Sequence, residues 1–453
     1  MNKPNILFLF SDQHNARCLS CAGHPDVKTP ALDKLAAQGI RFTNAYTNNP
    51  ICTPSRMSFL SGLYPSTHGY YGLYGHSPND NITSIFKYFK ENGYRTGALG
   101  KLHTPRYWIE QDCQFVYDEF IEYPKYLEGA GLYEKNDNRA FTGNKDGETS
   151  EIPLEHSCEV ALAKQAIRFI RNEGEPKDRG EDKAPWFGWV SFSRPHEPYT
   201  PSEPFASKYD VDKITLPPSG DGVKKDDLEK YLKAYLALVS QVDYGIDMVI
   251  DELVKRDELK NTIIVYSSDH GDYAGEHGLI EKRGGISYKA ITGIPMIFRL
   301  PDMQHTGRVT DEIVEAVDFF PTICELSGIP IPNTAQGISF AGIVNDTKDS
   351  IRQSAFTENV YRKCLATKKW RYIANIEGQK DELYNLEEDP WELNNKIDDS
   401  ECINVVQKLS RELLDRVIKA HKPVTGPFGW HDHVYDRDGR LDLTQNNKIS
   451  PYW

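Results

Sequence analysis

The sequence predicts an α/β protein: a large, mixed but mostly parallel sheet between helices, followed by a smaller α+β domain at the C-terminus. Three observations carry this. Continuous apolar runs such as "NILFLF", "WFGWVSF" and "TIIVYSS" alternate with helical patterns, as expected for parallel strands buried on both faces. The chain has 453 residues, more than one compact core usually takes. Near residue 350 the texture changes to short strands with turns. The expected division is 1–350 and 351–453.

Taken in order, "NILFLF" reads as a first buried strand, "PALDKLAAQG" as a helix and "IRFTNAYT" as a strand. A helix in "ITSIFKYFKENG" stops at Gly93, a natural cap, and "YRTGALG" follows as a strand. Val160, Ala163, Ile167 and Ile170 recur at helical spacing ahead of "WFGWVSF". The longest amphipathic pattern runs over residues 225–258, through Leu228, Leu232, Tyr235, Val239, Val242, Ile246 and Leu253. It leads into "NTIIVYSSDHGD", a buried strand ending in polar residues. In the second part, "SAFTENVYRKCLATKKWRYIANI" reads as short strands. "DELYNLEEDPWELNNK" reads as a tight link, and "CINVVQKLSRELLDRVIKAH" as one amphipathic helix.

Composition narrows the function. Lys and Arg number 53 against 66 Asp and Glu, a net charge of −13, which argues against a general nucleic-acid binder. No apolar run reaches the length of a membrane span. The opening apolar run is too short for a signal-peptide core, so the chain as written reads as cytoplasmic, or periplasmic if a leader precedes it. Eight cysteines scattered over the chain make no disulfide framework, and Cys18 and Cys21 read as structural.

Polar clusters follow the apolar runs where a parallel sheet places its ligands, beyond the carboxyl ends of strands. Asp12 and Gln13 follow the first, and Asp269 and His270 follow "TIIVYSS". Two carboxylates, an amide oxygen and an imidazole suit a hard-to-borderline divalent cation. Between them lies "NNPICTPSRMSFLSG", with Cys52 ahead of Pro54 and Arg56. Pro54 suits the first turn of a helix, whose start favours anions. A catalytic thiol wants a histidine base and a depressed pKa, and nothing next to Cys52 in sequence supplies either.

"CTPSRMSFLSG" resembles the sulfatase signature, Cys-x-Pro-Ser-Arg followed by a short run to Ser/Thr-Gly. The likeness continues in "HPDVKTPALDKLAAQGIRFTNAY", "YPSTHG", "GALGKLHT", "SFSRPHEPYTP", "SSDHGDYAGEHGLIEKRG" and "ELYNLEEDPWELNN". It spans nearly the whole chain, and its motifs are specific together. The resemblance implies an alkaline-phosphatase-like fold with residues 1–350 as the catalytic domain. It implies that Cys52 is oxidised to formylglycine by a formylglycine-generating enzyme and that the hydrated aldehyde is the nucleophile. It makes Arg56 a brace of that diol, gives Lys101 and His103 to the sulfate and the diol, and His196 and Lys282 to the leaving group. The implied cation ligands are Asp12, Gln13, Cys52, Asp269 and His270.

Two departures stand out. Many sulfatases carry Asp-Asp and Asp-Asn where this chain has Asp12-Gln13 and Asp269-His270. The phosphonate monoester hydrolase and choline sulfatase branches share the latter pairs. Calcium is the first expectation for the metal, with manganese or zinc behind it. The expected substrate is a small sulfate ester, foremost a sulfated carbohydrate. The alternatives are a phosphonate monoester or phosphodiester hydrolase, and a non-catalytic anion-binding protein. Tyr70, Tyr71 and Tyr74 are candidates for stacking on a sugar ring, and specificity is expected in residues 104–150 and the aromatic tail.

Overall fold

A computed structural model of the chain describes residues 3–73, 82–132, 147–173, 184–218, 225–282, 287–301, 306–376 and 378–421. Eight strands form the large sheet: β1 Asn5–Asp12, β2 Ile40–Tyr46, β3 Arg95–Gly100, β4 Phe115–Asp118, β5 Trp186–Pro195, β6 Thr262–Ser268, β7 Met296–Arg299 and β8 Arg308–Glu315. Their order is β4-β3-β5-β1-β6-β7-β2-β8. Only β7 runs antiparallel to its neighbours β6 and β2; every other pairing in this sheet is parallel.

The central strand shows why the apolar runs are continuous. Ile6, Phe8 and Phe10 of β1 pack on one face with Phe59, Trp189 and Phe319. Leu7 and Leu9 pack on the other with Leu162, Phe192, Val242 and Ile264. Alternate side chains point to opposite faces, so a strand covered on both must be apolar throughout. Each such side chain contributes roughly 1.5–3 kcal/mol by burial. The helices Cys158–Ile170 and Lys225–Lys255 cover the second face.

Four further strands, β9 Ala355–Glu358, β10 Arg362–Ala366, β11 Trp370–Asn375 and β12 Glu382–Asn385, form a second, antiparallel sheet in the order β12-β11-β10-β9. Leu409 and Leu413 of the helix Ile403–Ala420 pack with Phe356, Leu365, Tyr372 and Leu383 of this sheet. One reading is corrected here. "DELYNLEEDPWELNNK" is not all link: Glu382–Asn385 is a strand, because Leu383 fills the small core while its backbone pairs with Tyr372. The aromatic tail from residue 422 and Tyr74 lie outside the described residues. No helix among the described residues is long and apolar enough to cross a membrane.

Candidate active site

The strands β3, β5, β1 and β6 are consecutive in the sheet and mutually parallel. Their carboxyl ends therefore lie side by side: Asp12 is the last residue of β1, and Lys101, His196 and Asp269 directly follow β3, β5 and β6. Gly100 makes the first approach possible. Its φ is +98° and a Cβ there would lie 2.0 Å from the Ser191 carbonyl oxygen, so only glycine fits. The Lys101 N–H then donates to that oxygen at 2.8 Å.

Cys52 opens the helix Cys52–Ser61, every residue of which is buried. Its Sγ lies 3.3 Å from Lys282 Nζ, 3.4 Å from His270 Nε2 and 3.7 Å from Asp12 Oδ1. The histidine that its sequence neighbours do not supply comes from elsewhere in the chain, together with a lysine. His270 and Lys282 are 218 and 230 residues away in sequence and are delivered by the fold. Burial and Asp12 push the thiol up, but Lys101, His270 and Lys282 outweigh them and bring it down to about 6.

Arg56 engages the carboxylates. Its Nη2 donates to Asp12 Oδ2 at 2.8 Å and its Nε to Asp269 Oδ2 at 3.0 Å. Its Nη1 donates to the Lys101 carbonyl at 2.5 Å and to Ser191 Oγ at 2.8 Å. With the unmodified Cys52, these hydrogen bonds go to the two acids, the Lys101 carbonyl and the Ser191 hydroxyl, so Arg56 fixes Asp12 and Asp269; bracing a diol at position 52 stays the role that the resemblance implies. Lys101 Nζ adds a second cation on Asp12 Oδ2 at 2.8 Å. Burial raises the Asp12 carboxyl, yet Lys101, His196, Arg56 and Lys282 hold it well below the usual range. Burial and the neighbouring Asp12 instead push Asp269 up to about 6.

The donor set fits a divalent cation. One ligand atom each from Asp12, Cys52, Asp269 and His270 lies within 4.8 Å of all the others, and all four residues are buried. His270 Nδ1 donates to the Gly271 carbonyl at 2.8 Å, which leaves the Nε2 lone pair free to ligate. The Gln13 amide nitrogen is bound to Tyr199 and Asp272, so its oxygen faces Lys282 Nζ at 3.3 Å.

His196 Nε2 is 3.0 Å from Lys282 Nζ and 3.9 Å from Asp12 Oδ1, while its Nδ1 donates to the Glu197 carbonyl at 3.1 Å. His103 stands apart from these short contacts. Its ring stacks on Phe120 at 5.5 Å, its Nδ1 is buried with no hydrogen-bond partner among the described residues, and burial with Lys101 and Arg56 lowers it to about 4. Of the candidate tyrosines, Tyr71 donates to Glu358 Oε2 at 3.2 Å, a structural tie. The sequence reading missed Ser191, Tyr199, Tyr231 and Asp272 as supports. The only signal was their place in "SFSRPHEPYTP", the long helix and "SSDHGD".

Comparisons with known proteins place the chain among known families and folds. The sulfatase family model matches residues 4–329, and a model described as the N-sulphoglucosamine sulphohydrolase C-terminal region matches residues 275–419. An arylsulfatase of Clostridium perfringens is 27% identical over 91% of this chain and 94% of its own length. An N-acetylglucosamine-6-O-sulfatase of Bacteroides thetaiotaomicron is 26% identical over 93% of this chain and 87% of its own. The crystal structure of a phosphonate monoester hydrolase of Agrobacterium radiobacter superposes with a TM-score of 0.81 at 22% identity, covering 92% of this chain and 96% of that one. At that identity the last match speaks for the fold, which is alkaline-phosphatase-like. The family model covers well over half of the chain, and the chain belongs to the sulfatase family as a sulfuric ester hydrolase.

Proposed function

We propose that the enzyme removes sulfate from a sulfated saccharide, using a formylglycine made from Cys52 and a divalent cation held by Asp12, Gln13, Asp269, His270 and the residue at position 52. The observation that carries this is the meeting of Cys52, at the start of a buried helix, with Lys282, His270 and Asp12 at 3.3, 3.4 and 3.7 Å. The saccharide is supported by the relative named as an N-acetylglucosamine-6-O-sulfatase. Calcium is the first choice of metal; the His270 nitrogen keeps manganese and zinc in play. Residues 1–350 form the catalytic part in this reading and 351–453 the C-terminal subdomain.

When bound, the cation supplies positive charge to the sulfate oxygens, and the hydrated aldehyde supplies one hydroxyl to attack sulfur and a second beside it. Lys101 and Lys282 add fixed positive charge in a buried site, where preorganised charge acts most strongly on the transition state. Arg56 keeps Asp12 and Asp269 in register, one turn on from the residue at position 52 whose diol it would brace. Lys282 donates to His196 Nε2 at 3.0 Å, so the pair can pass a proton to the departing alcohol oxygen as the S–O bond breaks. His103 is neutral near pH 7 and accepts the proton of the second hydroxyl, so that sulfate leaves and the aldehyde returns.

The test is anion release by ion chromatography, with protein co-expressed with a formylglycine-generating enzyme. The panel holds sulfated mono- and disaccharides, choline sulfate, an aryl sulfate and an aryl phosphonate monoester. Sulfate release from a saccharide that vanishes in Cys52→Ala is the expected result. Turnover of the phosphonate alone overturns it and favours the branch that shares the Asp-Gln and Asp-His pairs.

A further inference from the structure

Behind the reaction centre, Asp272 holds a set of contacts that the mechanism above does not use. Its Oδ2 accepts from Gln13 Nε2 at 2.7 Å and from Tyr231 OH at 2.7 Å. Its Oδ1 accepts the backbone N–H of Ala274 at 2.7 Å and of Glu281 at 3.2 Å. The residue is fully buried. One carboxylate thus touches both Gln13 and the residue immediately before Lys282.

The consequences follow from donor and acceptor counting. The Gln13 amide nitrogen has two hydrogens; one goes to Asp272 and the other to Tyr199 OH at 2.8 Å. The carbonyl oxygen is then the end turned to Lys282 Nζ. The reverse orientation would set an amide oxygen against a carboxylate and an NH2 against an ammonium, two like contacts at once. The Gln13 backbone cannot relieve this by turning. It sits at φ 67°, its N–H donates to Asp269 Oδ1 at 3.0 Å, and its carbonyl accepts from Tyr235 OH at 2.8 Å.

We propose that Asp272 is a positioning residue: it fixes which end of the Gln13 amide faces the reaction centre and holds the Lys282 segment so that Nζ reaches both Cys52 and His196. This rests on the sulfatase reading of that centre. Asp272→Asn separates the two oxygens. Two backbone N–H groups require an acceptor at the Oδ1 position, so the new NH2 must take the Oδ2 position. There it donates to Gln13, whose amide reverses and presents its own NH2 to Lys282 and the cation ligands. Gln13→Glu added to Asp272→Asn restores an oxygen on that side, because a carboxylate has one at either end.

The experiment uses the full chain as Asp272→Asn, Gln13→Glu and the double variant, with three readouts: kcat on the sulfate ester the wild type hydrolyses, Mn2+ affinity by calorimetry, and thermal midpoint without metal. Supporting partners of metal ligands typically matter about 10- to 100-fold. Asp272→Asn is expected to lose that much in both kcat and Mn2+ affinity, with KM changing less. Gln13→Glu is expected to lower the midpoint by setting two buried carboxylates together. The double variant is expected to recover most of all three quantities. Losses that simply add in the double variant overturn the proposal. If the wild type neither binds Mn2+ nor hydrolyses any ester, the functional reading fails. The thermal cycle still decides the Gln13–Asp272 pair, by recovery or by addition.

Discussion

His196 shows how much one side chain's surroundings constrain its chemistry. Burial, Lys101 and Lys282 outweigh the pull of Asp12 and hold its ring well below the usual histidine range, with Nδ1–H committed to Glu197 and Nε2 facing Lys282. A neutral imidazole in that orientation accepts a hydrogen bond from the lysine and holds its ammonium where it can donate to the leaving oxygen. His196→Ala is therefore expected to lower kcat/KM about 10²- to 10⁴-fold for alkyl sulfates and much less for sulfates of acidic phenols, which leave without protonation. A series of aryl sulfates of graded leaving-group pKa checks this, and a uniform loss across the series sinks it. The residues that we propose touch the reaction were readable in the sequence because each directly follows an apolar run or sits in a motif. Their supports were not. Asp272 meets Gln13 259 residues away and Tyr231 41 residues away, and nothing local in "SSDHGD" or the helix pattern announces a shared hydrogen bond.

At the scale of elements, the site depends on how tightly neighbouring strands close. Gly100, at φ +98°, lets β3 and β5 approach within 2.0 Å of where a Cβ would stand, and Lys101 follows it directly. Gly100→Ala is expected to lower the thermal midpoint and kcat together, since β3 must move away from Ser191 and carry Lys101 with it. Gly129→Ala is the control. That glycine ends the helix Glu119–Gly129 with none of the described residues within 4 Å of its Cβ position, so the change is expected to be neutral or stabilising by up to about 1 kcal/mol. A midpoint and kcat left unchanged by Gly100→Ala would defeat the argument. The buried parallel strands β1, β5 and β6 announced themselves as unbroken apolar runs. Of the four-residue strands, β4, β7 and β12 are too short to show a period, and in β8 the first five residues are all partly or fully exposed. The reversed direction of β7 is a property of its pairing, which no single stretch encodes.

For the whole molecule, one buried charge cluster fastens the two sheets and the last helix. Glu315, at the end of β8, accepts the Phe356 N–H of β9 at 2.9 Å, Tyr64 OH at 2.6 Å and Asn48 Nδ2 at 3.0 Å. Arg352 pairs with it at 2.6 Å, and Arg416 of the C-terminal helix pairs with it as well. Arg352 also pairs with Asp318. Burial raises Glu315, but Arg352 and Arg416 overcome it and bring the carboxyl down to about 2. Asp318, with burial and Glu315 against it, is pushed up to about 6. The signs oppose one another. A depressed carboxyl contributes stability above its unfolded value, near 4.5, and loses it as pH falls toward 2. A raised one, from 3.8 to about 6, contributes most below 3.8 and loses that contribution as pH rises to about 6. The cluster is thus expected to fasten the halves most firmly near pH 4 to 5, about where the two windows meet. Glu315→Gln removes the acid limb and costs roughly 3–5 kcal/mol at neutral pH by taking the carboxylate partner from Arg416 and leaving Arg352 with Asp318 alone, whereas Asp318→Asn flattens the limb between pH 4 and 6. Thermal midpoints of the three proteins from pH 2.5 to 7 test both. If Glu315→Gln falls off in acid as steeply as the wild type, this cluster is not what ties the C-terminal helix to the catalytic sheet.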